Sequence, residues 1–284
     1  MLWLIGLGIA LAEPEAPTEF GIIPNDVAHA ARETAGLPLA QRMKAISDPL
    51  LGLPYEIDGH GEGLPPDADP PARYDAFDCL TFLEEVLALA LSGDPVSAPL
   101  IRNALRYQGG IPTYANRHHF MMAQWIPANL EAGFLEDITH TLGETHRIEK
   151  SVSQAVWKNW AGTKRFSLPL SALPTGRYGM NVLSLDAAEA AIDHIPSGAI
   201  IFTVRRPKPW KPIVISHVGF VIPTEEGGPV LMRHATKMGG GSVRDHLLSW
   251  YIDHLRWYKR PVEGISVLMP IEQGPRKARI AYEK

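Results

Sequence analysis

The segment FDCLTFLEEVLALALSG, residues 77–93, constrains the fold more than any other stretch. Leu80, Leu83, Val86, Leu87, Ala90 and Leu91 recur at helical spacing, and little polar surface separates them. A helix apolar on most faces is stable only when other elements surround it, so the spacing predicts a buried central helix. Asp78 stands where an N-cap belongs, Thr81 and Glu84 fall in the first turns, and Gly93 followed by Asp94-Pro95 supplies the stop. The first residue of this helix is Cys79, the one cysteine of the chain.

With 284 residues, one large core is within reach. Hydrophobic residues make up 45% and charged residues 20%, values of an ordinary globular protein rather than a disordered or fibrous one. The formal net charge is -4, and basic residues gather only in short pairs such as Arg205-Arg206. That excludes a field able to hold a polyanion, so nucleic acid is not an expected partner.

Residues 1–12, MLWLIGLGIALA, are apolar throughout and are followed at once by Glu13, Pro14 and Glu15. A spanning helix needs roughly 20 residues, so this run suits a signal-peptide core and not a stable membrane span. Ala10-Leu11-Ala12 fits cleavage after Ala12, although the basic residues that usually precede such a core are missing. The expectation is a signal peptide over 1–12, a Pro-rich leader over 13–24 and one domain over 25–284, exported to the periplasm or beyond. In an oxidising compartment thiols are usually paired or absent. A lone thiol cannot staple the fold, which points to another use for Cys79.

Asn25-Asp26 can cap a helix beginning near Val27, and a second helical stretch covers 39–46. Residues 50–74 are rich in Gly, Pro and Asp and read as a long loop. A further helix is expected over 118–132, while 142–195 carries too weak a pattern to assign. Beyond Pro196 the period changes: 198–204, 213–222, 230–235 and 264–269 are β-branched or alternating runs bounded by Pro and Gly. A helical first half followed by an antiparallel, strand-rich second half gives the α+β class.

At a helix start, unpaired N–H groups and the helix dipole favour a thiolate, which makes Cys79 a candidate nucleophile. A free cysteine is also often a mere core residue, so a partner is needed to decide. Alternation over 213–222 places His217 on a face with Ile213, Ile215, Gly219 and Val221. If Val221 pairs with Val230 across the loop 223–228, His217 falls opposite His234, with Cβ atoms about 5 Å apart. A strand histidine alone is commonly a satisfied core residue, but two meeting across a hairpin form the base and orienter that a thiol nucleophile requires. His217 would then pair with Cys79 as an ion pair, and His234 would hold its tautomer. Asn116, Arg117 and His118 form a polar cluster ahead of a helix, and a guanidinium there can grip a carboxylate or sugar oxygens. MGGGS, residues 238–242, lacks the offsets of a phosphate loop and reads as a flexible connection bordering the cleft.

LLGLPY, FDCLTFLEEVLALAL, GGIPTYANRHHFMMAQWI, ISHVGFVI, LMRHATK and GISVLMP occur in this order between Arg42 and Pro270. In these segments the chain resembles the N-acetylmuramoyl-L-alanine amidase-like branch of the NlpC-type papain-like cysteine hydrolases. That resemblance implies a papain-like fold, with the nucleophile helix packed on an antiparallel sheet. It implies Cys79 as nucleophile, His217 as base and His234 as orienting residue, with no metal or other cofactor. The implied reaction is hydrolysis of the amide between N-acetylmuramic acid, preferably its 1,6-anhydro form, and L-alanine, so the expected partners are peptidoglycan fragments. Tyr74, Asp78, Asn116, Arg117 and His118 are the expected substrate contacts, with Tyr74 near the oxyanion. Two alternatives share the fold: an endopeptidase cutting within the stem peptide, and an inactive peptidoglycan-binding module. A zinc amidase would form the same products, but the sequence has no His-Glu-x-x-His spacing.

Overall fold

The computed structural model describes residues 22–272. The expected signal peptide and most of the expected leader lie outside this range. Helices α1 (Asn25–Glu33), α2 (Leu39–Ser47), α3 (Cys79–Ser92), α4 (Ala98–Arg106) and α5 (Ile126–Glu131) come first. They are followed by β1 (Leu135–Asp137), β2 (Thr145–Val152), α6 (Gln154–Asn159), β3 (Gly176–Leu183) and α7 (Leu185–Ala190). The chain then runs through β4 (Ile200–Arg205), β5 (Ile215–Ile222), β6 (Leu231–Thr236), β7 (Ser242–Leu247), α8 (Leu248–Arg256) and β8 (Val262–Pro270). Every strand pairing is antiparallel, in the order β2-β3-β8-β4-β5-β6-β7 with β1 on β8. The class is α+β, as the sequence pattern predicts.

The apolar segment forms α3, whose Phe82, Leu83, Val86, Leu87 and Leu89 are fully buried. It lies between α2 and α4 on one side and β5 and β6 on the other. Phe82 stacks on Phe220 of β5 with ring centroids 5.8 Å apart. Even its carboxylates are buried. Glu84 accepts from Arg106 Nε at 2.6 Å and from Trp125 Nε1 at 2.8 Å, while Glu85 lies 3.3 Å from Arg106 and 3.4 Å from Arg102. These bonds answer the question any buried charge raises, namely what replaces its water. A second core covers the opposite face of the sheet, where Leu248, Tyr251, Ile252 and Leu255 of α8 pack on Val221, Met232, Ile265 and Val267.

One expectation needs correction, and two stretches gain detail. The helix expected over 118–132 is a π-helical turn, Met121–Trp125, continued by α5, because Pro127 is acceptable only in a first turn. Residues 142–195 hold the β2–β3 hairpin, whose crossing carries α6 and brings Trp157 and Phe166 against Phe120. The stretch 50–74 is a loop, but Tyr55 bridges to Phe77 and donates its N–H to Gly241 O at 3.1 Å, which pins it beside the start of α3.

Candidate active site

Asp78 has extended dihedrals, and one carboxylate oxygen accepts from the N–H groups of Leu80 and Thr81 at 2.9 and 2.8 Å. Thr81 Oγ1 returns the bond by accepting from the Asp78 N–H at 3.1 Å, completing a capping box. This fixes Cys79 as the first residue of α3, only 8% exposed. Its thiol lies against three backbone N–H groups, those of Cys79, Leu80 and Val218. Val218 directly follows His217, so the helix start and the histidine strand meet here.

Burial pushes the Cys79 thiol up to about 12; the Asp78 carboxylate raises it further, while the N–H groups of Val218, Cys79 and Leu80 pull it down. Desolvation therefore works against the thiolate expected from the helix start. His217 is pushed down to about 4, first by burial and then by Arg205 and His246. Both directions favour the neutral thiol and the neutral imidazole over the expected ion pair.

The β5–β6 ladder pairs Phe220 with Arg233, Val221 with Met232 and Ile222 with Leu231. This register is shifted by two residues from the expected Val221–Val230 pairing. An even shift preserves the face, so the histidines stay on one side of the sheet but meet diagonally rather than head-on. The ring nitrogens His217 Nε2 and His234 Nδ1 are 2.7 Å apart. Gly219 makes this possible, since a Cβ there would come within 2.8 Å of His234 Cβ and of the Arg233 carbonyl. His234 is fully buried, and its ring is edge-on to Tyr251 at 5.5 Å. The Tyr251 hydroxyl is fixed in turn by Thr203 Oγ1 at 2.7 Å.

A cleft of about 280 Å³ opens over the sulfur, walled by Tyr55, Asp58, His60, Asp78, His118 and Phe166 among others. Arg117 also lines it, but its guanidinium is held by Glu62 at 2.7 Å and Asp67 at 2.9 Å. Asn116 sits in a 3-10 turn and is not among the lining residues. Tyr74 is not among them either: its hydroxyl donates to Glu85 Oε2 at 2.9 Å, in the buried charge cluster. The tyrosine that lines the cleft with the sulfur is Tyr55, whose hydroxyl is raised first by burial and then by Cys79 and Asp78. LLGLPY contains it, and only the tertiary bridge to Phe77 distinguishes it from Tyr74. Among the described residues no group of three or more His, Cys, Asp or Glu side chains is arranged to hold a metal ion, and no helix is long and apolar enough to cross a membrane.

A family model described as AmiA-like, N-acetylmuramoyl-L-alanine amidase-like, matches residues 45–256, a span that includes Cys79, His217 and His234. The crystal structure of a Legionella pneumophila protein from a family of unknown function is similar to this chain with a TM-score of 0.75 and 25% identity, over 88% of this chain and 94% of that one. An N-acetylmuramoyl-L-alanine amidase from Bacteroides uniformis gives a TM-score of 0.63 at 21% identity, over 82% of this chain and 98% of its own. A Bacteroides fragilis chain with a provisional xylanase designation gives 0.60 at 23%, over 78% and 97%. At such identities the last two show a common fold alone, and a fold does not name the bond that is cut. No curated protein matches the chain.

Proposed function

The chain belongs to the N-acetylmuramoyl-L-alanine amidase-like family, and from that premise we propose that it is an exported cell-wall amidase of the papain-like, NlpC type. It cleaves the amide between N-acetylmuramic acid, preferably the 1,6-anhydro sugar, and L-alanine, using Cys79, His217 and His234. The observation that carries this reading is the meeting of a capped helix start and a histidine pair: the Cys79 thiol against the Val218 N–H, with His217 bonded to His234 at 2.7 Å.

His234 engages Nε2 of His217, which leaves Nδ1 as the nitrogen that faces the reaction. A neutral starting pair requires that charge be created only when a carbonyl is in place. As sulfur attacks the lactyl carbonyl, the thiol proton moves to Nδ1, and the negative charge settles on the carbonyl oxygen rather than on sulfur. Backbone N–H groups at the start of α3, with the Tyr55 hydroxyl, are the donors available to that oxygen. Nδ1 then protonates the departing alanine nitrogen, leaving a thioester that His217 helps water to hydrolyse.

Mass spectrometry of muropeptides after digestion tests this. Release of intact stem peptide beginning with L-alanine, lost in Cys79→Ala and insensitive to EDTA, supports the proposal, and faster turnover of anhydro-muropeptides supports the sugar preference. Cleavage within the stem would make the chain an endopeptidase on the same fold. Absence of any cleavage, with no labelling of Cys79 by iodoacetamide, would make it a wall-binding module.

A further inference from the structure

The histidine pair does not end at His234. His234 Nε2 lies 2.8 Å from His246 Nδ1, so the rings of His217, His234 and His246 are joined in series. The tautomers follow from counting protons. For Nδ1 of His217 to take the thiol proton, the proton of that ring must be on Nε2, where it donates to His234 Nδ1. His234 then carries its proton on Nε2 and needs an acceptor, and the bond partner at that nitrogen is His246 Nδ1. The geometry points to His246 as a positioning residue that fixes the tautomer of His234, and through it the tautomer of His217. This role rests on the proposed chemistry at Cys79 and extends it by one residue.

The surroundings suit such a task. His246 lies on β7 opposite Met232, diagonal to His234 on the same face of the sheet. Its ring is edge-on to His234 at 5.1 Å and packs on Trp250 at 4.6 Å, which stacks on His254 at 4.9 Å. The ring is thereby held from α8 as well as from the sheet. Charged and titratable groups face it from each side: His234 on β6, Arg244 and Asp245 on β7, and His254 on α8. Arg244 is opposite His234 in the ladder and disfavours a proton there, so the chain transmits orientation while remaining neutral. His234 is fully buried, and replacing its acceptor by a hydrocarbon would leave the Nε2 proton unpaired unless the ring turned or changed tautomer.

The test compares His246→Leu, which removes the acceptor, with His246→Asn, whose amide oxygen can occupy the place of Nδ1. His246→Leu should lower kcat about tenfold or more with little change in KM, and His246→Asn should restore most of it. Independently of activity, long-range ¹⁵N–¹H spectra of the imidazoles in the Cys79→Ala protein should show His234 protonated on Nε2, and a changed tautomer in the Cys79→Ala/His246→Leu protein. The spectra separate failure of this inference from failure of the proposed reaction. If His234 carries its proton on Nδ1, or if His246→Leu changes neither kcat nor the tautomer, the role is overturned. Should His246→Leu not fold, the Cys79→Ala spectrum alone decides.

Discussion

His217 Nε2 and His234 Nδ1 are 2.7 Å apart although the residues are not opposed in the β5–β6 ladder. The diagonal contact depends on the bare Cα of Gly219. In Gly219→Ala the new methyl would meet Met232 Cε at 2.5 Å and the Arg233 carbonyl and His234 Cβ at 2.8 Å. The methionine end can give way, but two strand atoms cannot without moving β6. We predict a stability loss of about 1–3 kcal/mol by chemical denaturation, together with a fall in kcat larger than any change in KM.

Asp78 has two opposed effects. Its carboxylate caps α3 and so fixes Cys79, but its charge raises the thiol pKa. Asp78→Ala should destabilise the protein by about 1 kcal/mol through loss of the cap. Asp78→Asn keeps an oxygen acceptor without the charge, so the protein should stay near wild-type stability while the Cys79 pKa falls. The rate of iodoacetamide labelling against pH measures this. An unchanged or raised thiol pKa in Asp78→Asn would contradict it.

The charge cluster behind the nucleophile helix is structural. Arg106 joins Glu84 and Glu85 and also donates from Nη1 to the Pro71 carbonyl at 2.7 Å, tying α3, α4 and the loop before α3 together. Burial already raises Glu84 against the pull of Arg106. Arg106→Leu would leave an uncompensated buried carboxylate, a change that typically costs about 3–5 kcal/mol. The expected outcome is a lower Tm, partly recovered by the double variant Arg106→Leu/Glu84→Gln.

His60, His119 and His217 are each pushed down to about 4 by burial. Their folded values lie below the unfolded value of 6.5, so the unfolded chain binds more protons in between. Their contribution to stability is therefore fully present above pH 6.5 and is lost as pH falls toward 4. Tm should decline across that window. The acid limb of kcat/KM should follow His217 with an apparent pKa near 4. A limb at the ordinary histidine value would mean that the ring is solvated in the working enzyme.

Periodicity was enough to place α3 and its cap, because an all-apolar helix and an Asp–x–x–Thr start are local features. It also placed β4, β5, β6 and β8 to within two residues and put His217 and His234 on one face. The register was harder, since the hairpin loop admits pairings that differ by two and alternation fixes only their parity. Two other features depend on tertiary contacts that leave no periodic trace. Tyr55 reaches the cleft through its bridge to Phe77, whereas Tyr74, closer in sequence, turns to Glu85. His246 lies on a strand following MGGG, a stretch whose sequence reads as connection; its Gly239, Gly240 and Gly241 all take positive φ in the turn that leads into β7.

The most direct test of the central claim is rapid-quench intact-mass analysis of the protein during turnover of a defined muropeptide. The account predicts a thioester on Cys79 with the mass of the sugar and its lactyl acyl group, no stem peptide attached, and neither adduct nor product in Cys79→Ala. An adduct that retains stem-peptide residues, or undiminished hydrolysis by Cys79→Ala, would contradict it.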